Sequence, residues 1–128
     1  MDINQRMKHL FKIKIMTHAR NKGNSYERKL VNEFKELLGK EDIFTSRSES
    51  KRMDDAGVDI VGIPMFNVQA KAWERAPSYH DVLKSMPEDD KYNIIFHKKN
   101  RRGEVVVMSK EDFYEILTIL KNEGLICQ

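Results

Sequence analysis

Asp59, Gln69 and Lys71 are spaced so that two neighbouring strands can bring them together, and together they suit hydrolysis of a phosphodiester. That reaction needs charge stabilisation at the phosphate and an activated water. Mg²⁺ is a hard cation that takes oxygen ligands and keeps several waters. Asp59 offers a central carboxylate, Gln69 an amide oxygen, and Ala70 a backbone carbonyl. Lys71 can orient or deprotonate the attacking water, or steady the developing anion. Glu27 is a fourth candidate, reaching the ion directly or through water. A structural role also fits it. Asn24-x-x-Glu27 matches a capping box, in which Glu27 returns to the Asn24 amide.

The elements that must position these groups follow from periodicity. Residues 66–72 alternate as a strand, with Phe66, Val68, Ala70 and Ala72 on an apolar face and Asn67, Gln69 and Lys71 on a polar, solvated one. Residues 58–63 read as the preceding strand. If residues 63–65 make the turn, Gly62 sits opposite Phe66 and Asp59 opposite Gln69. A helix is expected over residues 25–38, preceded by Gly23 and Asn24 and ended by Gly39. Its stripe is Leu30, Val31, Phe34, Leu37 and Leu38, which Glu27 continues backward.

Elsewhere, residues 43–47 read as a short strand and 48–56 as a polar loop. Asp54 and Asp55 there read as turn builders rather than ligands. Ser78 is the expected N-cap of a short helix with Val82, Leu83 and Met86 inward, which Pro87 stops. Strands are expected at 92–97 and 104–108, joined by a basic turn at 100–103. Ser109 caps a last helix with Phe113, Ile116, Leu117 and Leu120 on one face. Trp73 and Tyr79 offer rings for stacking on a base or ribose, or for packing. His97 stands at a strand end beside the basic turn. The expected fold is α/β, a mixed sheet flanked by helices.

The chain's 128 residues suit one domain, and a hydrophobic fraction of 40% is enough for its core. No apolar run approaches the roughly 20 residues that span a bilayer. The opening stretch does not read as a signal peptide. Cys127 is the only cysteine, so no internal disulfide forms and a zinc ribbon is excluded; a cytoplasmic setting is expected. The histidines at 9, 18, 80 and 97 lack ligand spacing. Net charge is only +3, yet it is clustered. Arg6, Lys8, Lys12, Lys14, Arg20 and Lys22 face only Asp2, and Lys98, Lys99, Arg101 and Arg102 form a second group. Clustered positive charge attracts a phosphate backbone. Residues 1–22 read as a basic arm and 23–128 as the domain, with Leu10, Phe11, Ile13, Ile15 and Met16 as apolar residues that pack within the chain or on a partner subunit.

Glu27, then Gly57-Val58-Asp59-Ile60-Val61-Gly62, then Gln69-Ala70-Lys71 resemble the PD-(D/E)xK nuclease superfamily, and within it the archaeal-type and phage Holliday junction resolvases. Lys22-Gly23-Asn24-Ser25-Tyr26-Glu27-Arg28 resembles their first catalytic helix. Ile94-Ile95-Phe96-His97-Lys98-Lys99-Asn100, with Val105-Val106-Val107 and a final helix, is similar to a phage branch of endonucleases. The likeness covers roughly residues 22–120. It implies a restriction-endonuclease-like fold and a homodimer that makes paired nicks in four-way DNA junctions with Mg²⁺ or Mn²⁺, acting as a phage protein in the host cytoplasm. Carried over, Glu27, Asp59, Gln69 and Lys71 are catalytic, with Glu27, Asp59, Gln69 and Ala70 holding the metal. Arg47 and Ser48 fall near the scissile phosphate. DNA backbone contacts are expected from Arg20, Lys22, Arg47, Ser48, Lys51, Arg52, Lys98, Lys99, Arg101 and Arg102. The family's usual acid before the lysine is Gln69 here, which offers an oxygen without a charge. Two other readings stay open: a nuclease of this fold acting on ends, flaps or specific sites, and a catalytically silent DNA-binding or interaction protein.

Overall fold

The computed structural model describes residues 22–75 and 77–127. The apolar segment Leu10–Met16 and Arg20 lie outside them, as does the side chain of Lys22. In chain order the elements are α1 (Lys22–Leu38), β1 (Phe44–Thr45), α2 (Ser46–Glu49), α3 (Lys51–Asp55), β2 (Ile60–Val61), β3 (Phe66–Lys71), α4 (Tyr79–Ser85), β4 (Tyr92–Lys99), β5 (Gly103–Val107) and α5 (Lys110–Asn122). The strands form one mixed sheet in sequence order, with β3 and β4 parallel and the other pairs antiparallel. The fold is therefore α/β, a five-stranded mixed sheet flanked by helices.

Alternation along β3 divides the sheet into two faces. Val68 and Ala72 join Ile60 and Ile94 in a core sealed by Tyr26, Leu30 and Val31 of α1, with Phe66, Ala70, Phe34 and Phe96 against it. Phe34 and Phe96 meet edge-on at 5.4 Å. The stripe of α1 departs from expectation at both ends. Tyr26 is among the most buried side chains, whereas Leu37 and Leu38 are exposed. The last turn of α1 rims an apolar groove shared with Phe96, Val105 and Val106 rather than lying on covered sheet.

The opposite face, expected to be solvated, is covered at Asn67 and partly exposed at Gln69 and Lys71. The segment after β3 crosses it. Asn67 is only 1% exposed and donates from Nδ2 to Asp89 and to Asn93 Oδ1. Asn93 in turn donates to the Pro87 carbonyl. A buried amide is tolerated because its donors are used.

Two further expectations change. Residues 46–55 form two short helices instead of a strand end and a loop, each a turn or so long and too short to leave a periodic signature. Ser78 occupies the N-cap of α4 but its side chain makes no capping bond. Ser109 does cap α5, accepting from the Asp112 amide at 3.0 Å. Gly62 adopts φ +96°, and a Cβ there would overlap the Asp42 carbonyl, so the turn into β3 needs glycine.

Candidate active site

β2 and β3 pair at Ile60↔Val68, the register expected from the count, but the ladder stops at that rung. Asp59 stands just before it. Its amide donates to the Val68 carbonyl at 2.8 Å rather than facing Gln69 in a regular rung. Its carboxylate takes the next place: Oδ2 accepts the Ala70 N–H at 2.8 Å. The side chain thus fills the gap where the two strands part, and Oδ1 takes no hydrogen bond from the described residues. A residue's N–H and C=O leave an extended strand on the same edge. The Ala70 carbonyl therefore faces the same gap.

α2 closes this corner from the other side. The buried Ser46 donates its N–H to the Asp59 carbonyl at 2.8 Å and its hydroxyl to Asp54 Oδ1 at 3.3 Å. Glu27 enters from α1 with its carboxylate buried. Arg47 of α2 donates from Nη2 to both of its oxygens, at 2.9 and 3.1 Å. This settles the two roles open to Glu27 against the capping box. The helix already runs through Asn24, so Asn24 is not a cap, and the carboxylate is directed to Arg47.

The acids feel one another. Burial pushes the Glu27 carboxyl above its usual range, and the Asp59 charge adds to this, against the lowering by Arg47. Burial likewise raises Asp59, opposed by the Ala70 hydrogen bond and by Lys71. Asp54 repels both carboxylates. Its participation was hidden in the sequence, where Asp54-Asp55 before Ala56-Gly57 resembles a turn; the helical geometry of α3 brings Asp54 to Ser46.

Gln69 stands one residue before Ala70 on β3. Its Oε1 is buried and has no hydrogen-bond partner among the described residues. Gly57, at φ +84°, passes beside it, where a Cβ would stand 3.8 Å from that oxygen. An unpaired buried carbonyl oxygen costs free energy unless something electropositive meets it. Among the described residues no three His, Cys, Asp or Glu side chains cluster as a metal centre. The oxygens that the sequence offers to a metal are two carboxylates raised by burial, an amide oxygen without a partner among the described residues and the Ala70 carbonyl. All are oxygen donors, which fits a hard divalent cation.

Lys71, two residues along β3 from Gln69, lies with its ammonium 4.4 Å from the centroid of the Trp73 ring. The basic residues fall into groups. Arg47 and Ser48 line a cleft of about 380 Å³ with Asn24, Glu27, Arg28 and Thr45. Lys51 and Arg52 are exposed on the adjoining α3. Because β3 and β4 are parallel and Lys71 pairs with His97, Lys98, Lys99, Arg101 and Arg102 lie just past the Lys71 end of the sheet. Lys99 and Arg102 line a second cleft, of about 560 Å³, with Glu74, Tyr79, His97 and Asn100. His97, at a strand end beside the basic turn, is buried and bonded to Tyr79 and the Trp73 carbonyl.

No protein-family model, curated protein or solved structure matches this chain.

Proposed function

We propose that this chain is a metal-dependent DNA endonuclease of the PD-(D/E)xK type that resolves branched DNA, acting as a homodimer. The observation that carries this reading is the Asp59 carboxylate wedged between parting strands on the Ala70 N–H, with the buried Oε1 of Gln69, one residue earlier on β3, left without a partner among the described residues. Oxygen acceptors without enough donors call for a cation. Asp59, Gln69 and the Ala70 carbonyl would hold Mg²⁺ or Mn²⁺, with Glu27 reaching it directly or through water. The bound ion supplies Lewis acidity toward the scissile phosphate. Asp59 is oriented for its part by the Ala70 N–H. Arg47, half-exposed at the mouth of its cleft, exchanges Glu27 for a phosphate oxygen and so positions the strand. Lys71 orients the attacking water or steadies the leaving oxygen. The separate basic groups, on α3 and on the β4–β5 turn, contact phosphates and respond to shape rather than base sequence. Phe113 and Tyr114, both exposed, belong to the last helix, whose apolar residues would recruit a second copy.

The decisive experiment compares cleavage of a four-way junction with linear duplex and flap DNA, in Mg²⁺ and in Ca²⁺, for the wild type and Asp59→Asn. The expected result is junction cleavage in Mg²⁺ alone, lost in the variant. Equal cleavage of linear duplex would replace the resolvase reading with that of a general nuclease. Cleavage that survives Asp59→Asn would refute the site. A catalytically silent DNA-binding protein is the second reading. It draws support from the Glu27–Arg47 pair, which already satisfies one of the two carboxylates, and it predicts that Lys71→Ala changes nothing.

A further inference from the structure

Lys71 makes no ion pair with a carboxylate among the described residues. Its ammonium sits on the face of Trp73 instead, 4.4 Å from the ring centroid. Trp73 is itself half-exposed and stands outside the core cluster of the described residues. Its backbone is what is held. The Trp73 carbonyl lies 2.7 Å from His97 Nε2. A carbonyl only accepts, so Nε2 carries a proton, and in the neutral ring Nδ1 then accepts from the Tyr79 hydroxyl at 2.7 Å. The imidazole is 2% exposed, and Tyr79 meets it edge-on at 5.8 Å. His97 is also the rung partner of Lys71 in the parallel ladder. The residue that pins the Trp73 carbonyl therefore starts from the backbone beside the lysine.

We infer that Trp73 is the positioning residue for Lys71, holding its ammonium on the indole face and off Asp59, and that the buried His97, backed by Tyr79, fixes Trp73 through its carbonyl. A lysine is a point charge on a flexible four-carbon stem. Released from the ring, it would pair with Asp59, whose carboxyl already feels the Lys71 charge, and cover the oxygen left for a cation. Held on the ring, it stays at the site while Asp59 Oδ1 remains open. This assignment rests on the nuclease reading for its purpose but not for its geometry.

The geometry is tested by NMR on the metal-free protein with isotope-labelled lysine. Protons above an indole face move upfield. The expected result is an upfield ε-methylene signal for Lys71, assigned by its disappearance in Lys71→Arg. It should be lost in Trp73→Leu, retained in His97→Gln, whose amide nitrogen can still donate to the Trp73 carbonyl, and reduced in His97→Ala. The purpose is tested by Mg²⁺ titration of junction cleavage. Trp73→Leu should raise the Mg²⁺ concentration for half-maximal rate about two- to fivefold, the worth of an exposed cation–π contact. An unshifted wild-type signal, or a shift that survives Trp73→Leu, overturns the assignment. A fall in kcat without a change in Mg²⁺ requirement overturns the stated purpose. A shifted signal in a protein that cleaves no DNA upholds the contact and refutes the nuclease reading instead.

Discussion

Arg47 grips Glu27 with a single guanidinium nitrogen set 2.9 and 3.1 Å from the two carboxylate oxygens. The two residues are unequally placed: the Glu27 side chain is 8% exposed and that of Arg47 is 52% exposed. The carboxylate is fixed, and the guanidinium is free to turn outward. Such a pair satisfies a buried acid in the absence of ligand and releases a cationic fork toward an arriving phosphate.

Removing Arg47 therefore has two separable effects. Arg47→Ala leaves the Glu27 carboxylate buried and unpaired, which should destabilise the fold by about 1–2 kcal/mol, less than for a wholly buried pair because Arg47 is half-exposed. It should also weaken junction binding roughly tenfold or more, the worth of a charge-assisted hydrogen bond. Arg47→Lys should recover most of the stability and little of the binding, since an ammonium cannot present a fork. Thermal melts and binding isotherms on the two variants check this.

Gln69 invites the opposite manipulation. Gln69→Glu buries a new charge one residue before Ala70, whose N–H holds Asp59, and Asp59, Glu27 and Asp54 already repel one another. The metal-free protein should melt lower than the wild type. Charge count sets the affinity of an oxygen site for a divalent cation, so Mg²⁺ should bind about tenfold more tightly, or about 1.4 kcal/mol. Melting with and without Mg²⁺ reads both effects. An Mg²⁺-induced rise no larger than in the wild type would count against a cation at this corner.

The raised Glu27 and Asp59 carboxyls fix the sign of the pH dependence. Each binds its proton at a higher pH in the folded chain than in the unfolded one, where carboxyls titrate near about 4. In the window between those values the folded state holds more protons, so stability falls as pH rises through it and recovers on acidification. Cleavage should run the other way, because oxygen ligands must be ionised to hold a cation. Asp59→Asn removes one of the two groups and should flatten the stability profile. Melting temperatures taken from pH 4 to 7 on the two proteins decide it.

The sequence disclosed the parts of this corner that obey a period. The Val68–Ala70–Ala72 face, the α1 stripe from Leu30 to Phe34 and the Ile60↔Val68 register follow from local alternation. Contacts between distant segments left no such trace. That Asn67 is buried depends on Asp89 and Asn93, 22 and 26 residues away, and a polar residue on a strand reads the same whether it meets water or another amide. Arg47 and Asp54 were legible as charges, but their aim depends on two helices too short for a periodic pattern. His97 adjoins the basic Lys98 and Lys99 in the chain, yet alternation along β4 carries it to a face that Tyr79 covers.

That same alternation separates the roles of Lys98 and Lys99. Lys98 shares the α1 face of β4, and its ammonium lies 5.9 Å from the centroid of the Tyr26 ring. Lys99 shares the face of His97 and Lys71 and lines the cleft with Arg102. If DNA crosses the Lys71 end of the sheet, Lys99 and Arg102 meet phosphates and Lys98 mainly packs. Removing one cation that neutralises a phosphate should reduce the slope of log affinity against log salt by about 0.9 for duplex arms. Lys99→Gln and Arg102→Gln should each show that reduction, to the same extent on junctions of different sequence. Lys98→Gln should leave the slope nearly unchanged. An equal effect from all three substitutions would mean that the turn attracts DNA only as diffuse charge, and that the cleft beside Tyr79 is not on its path.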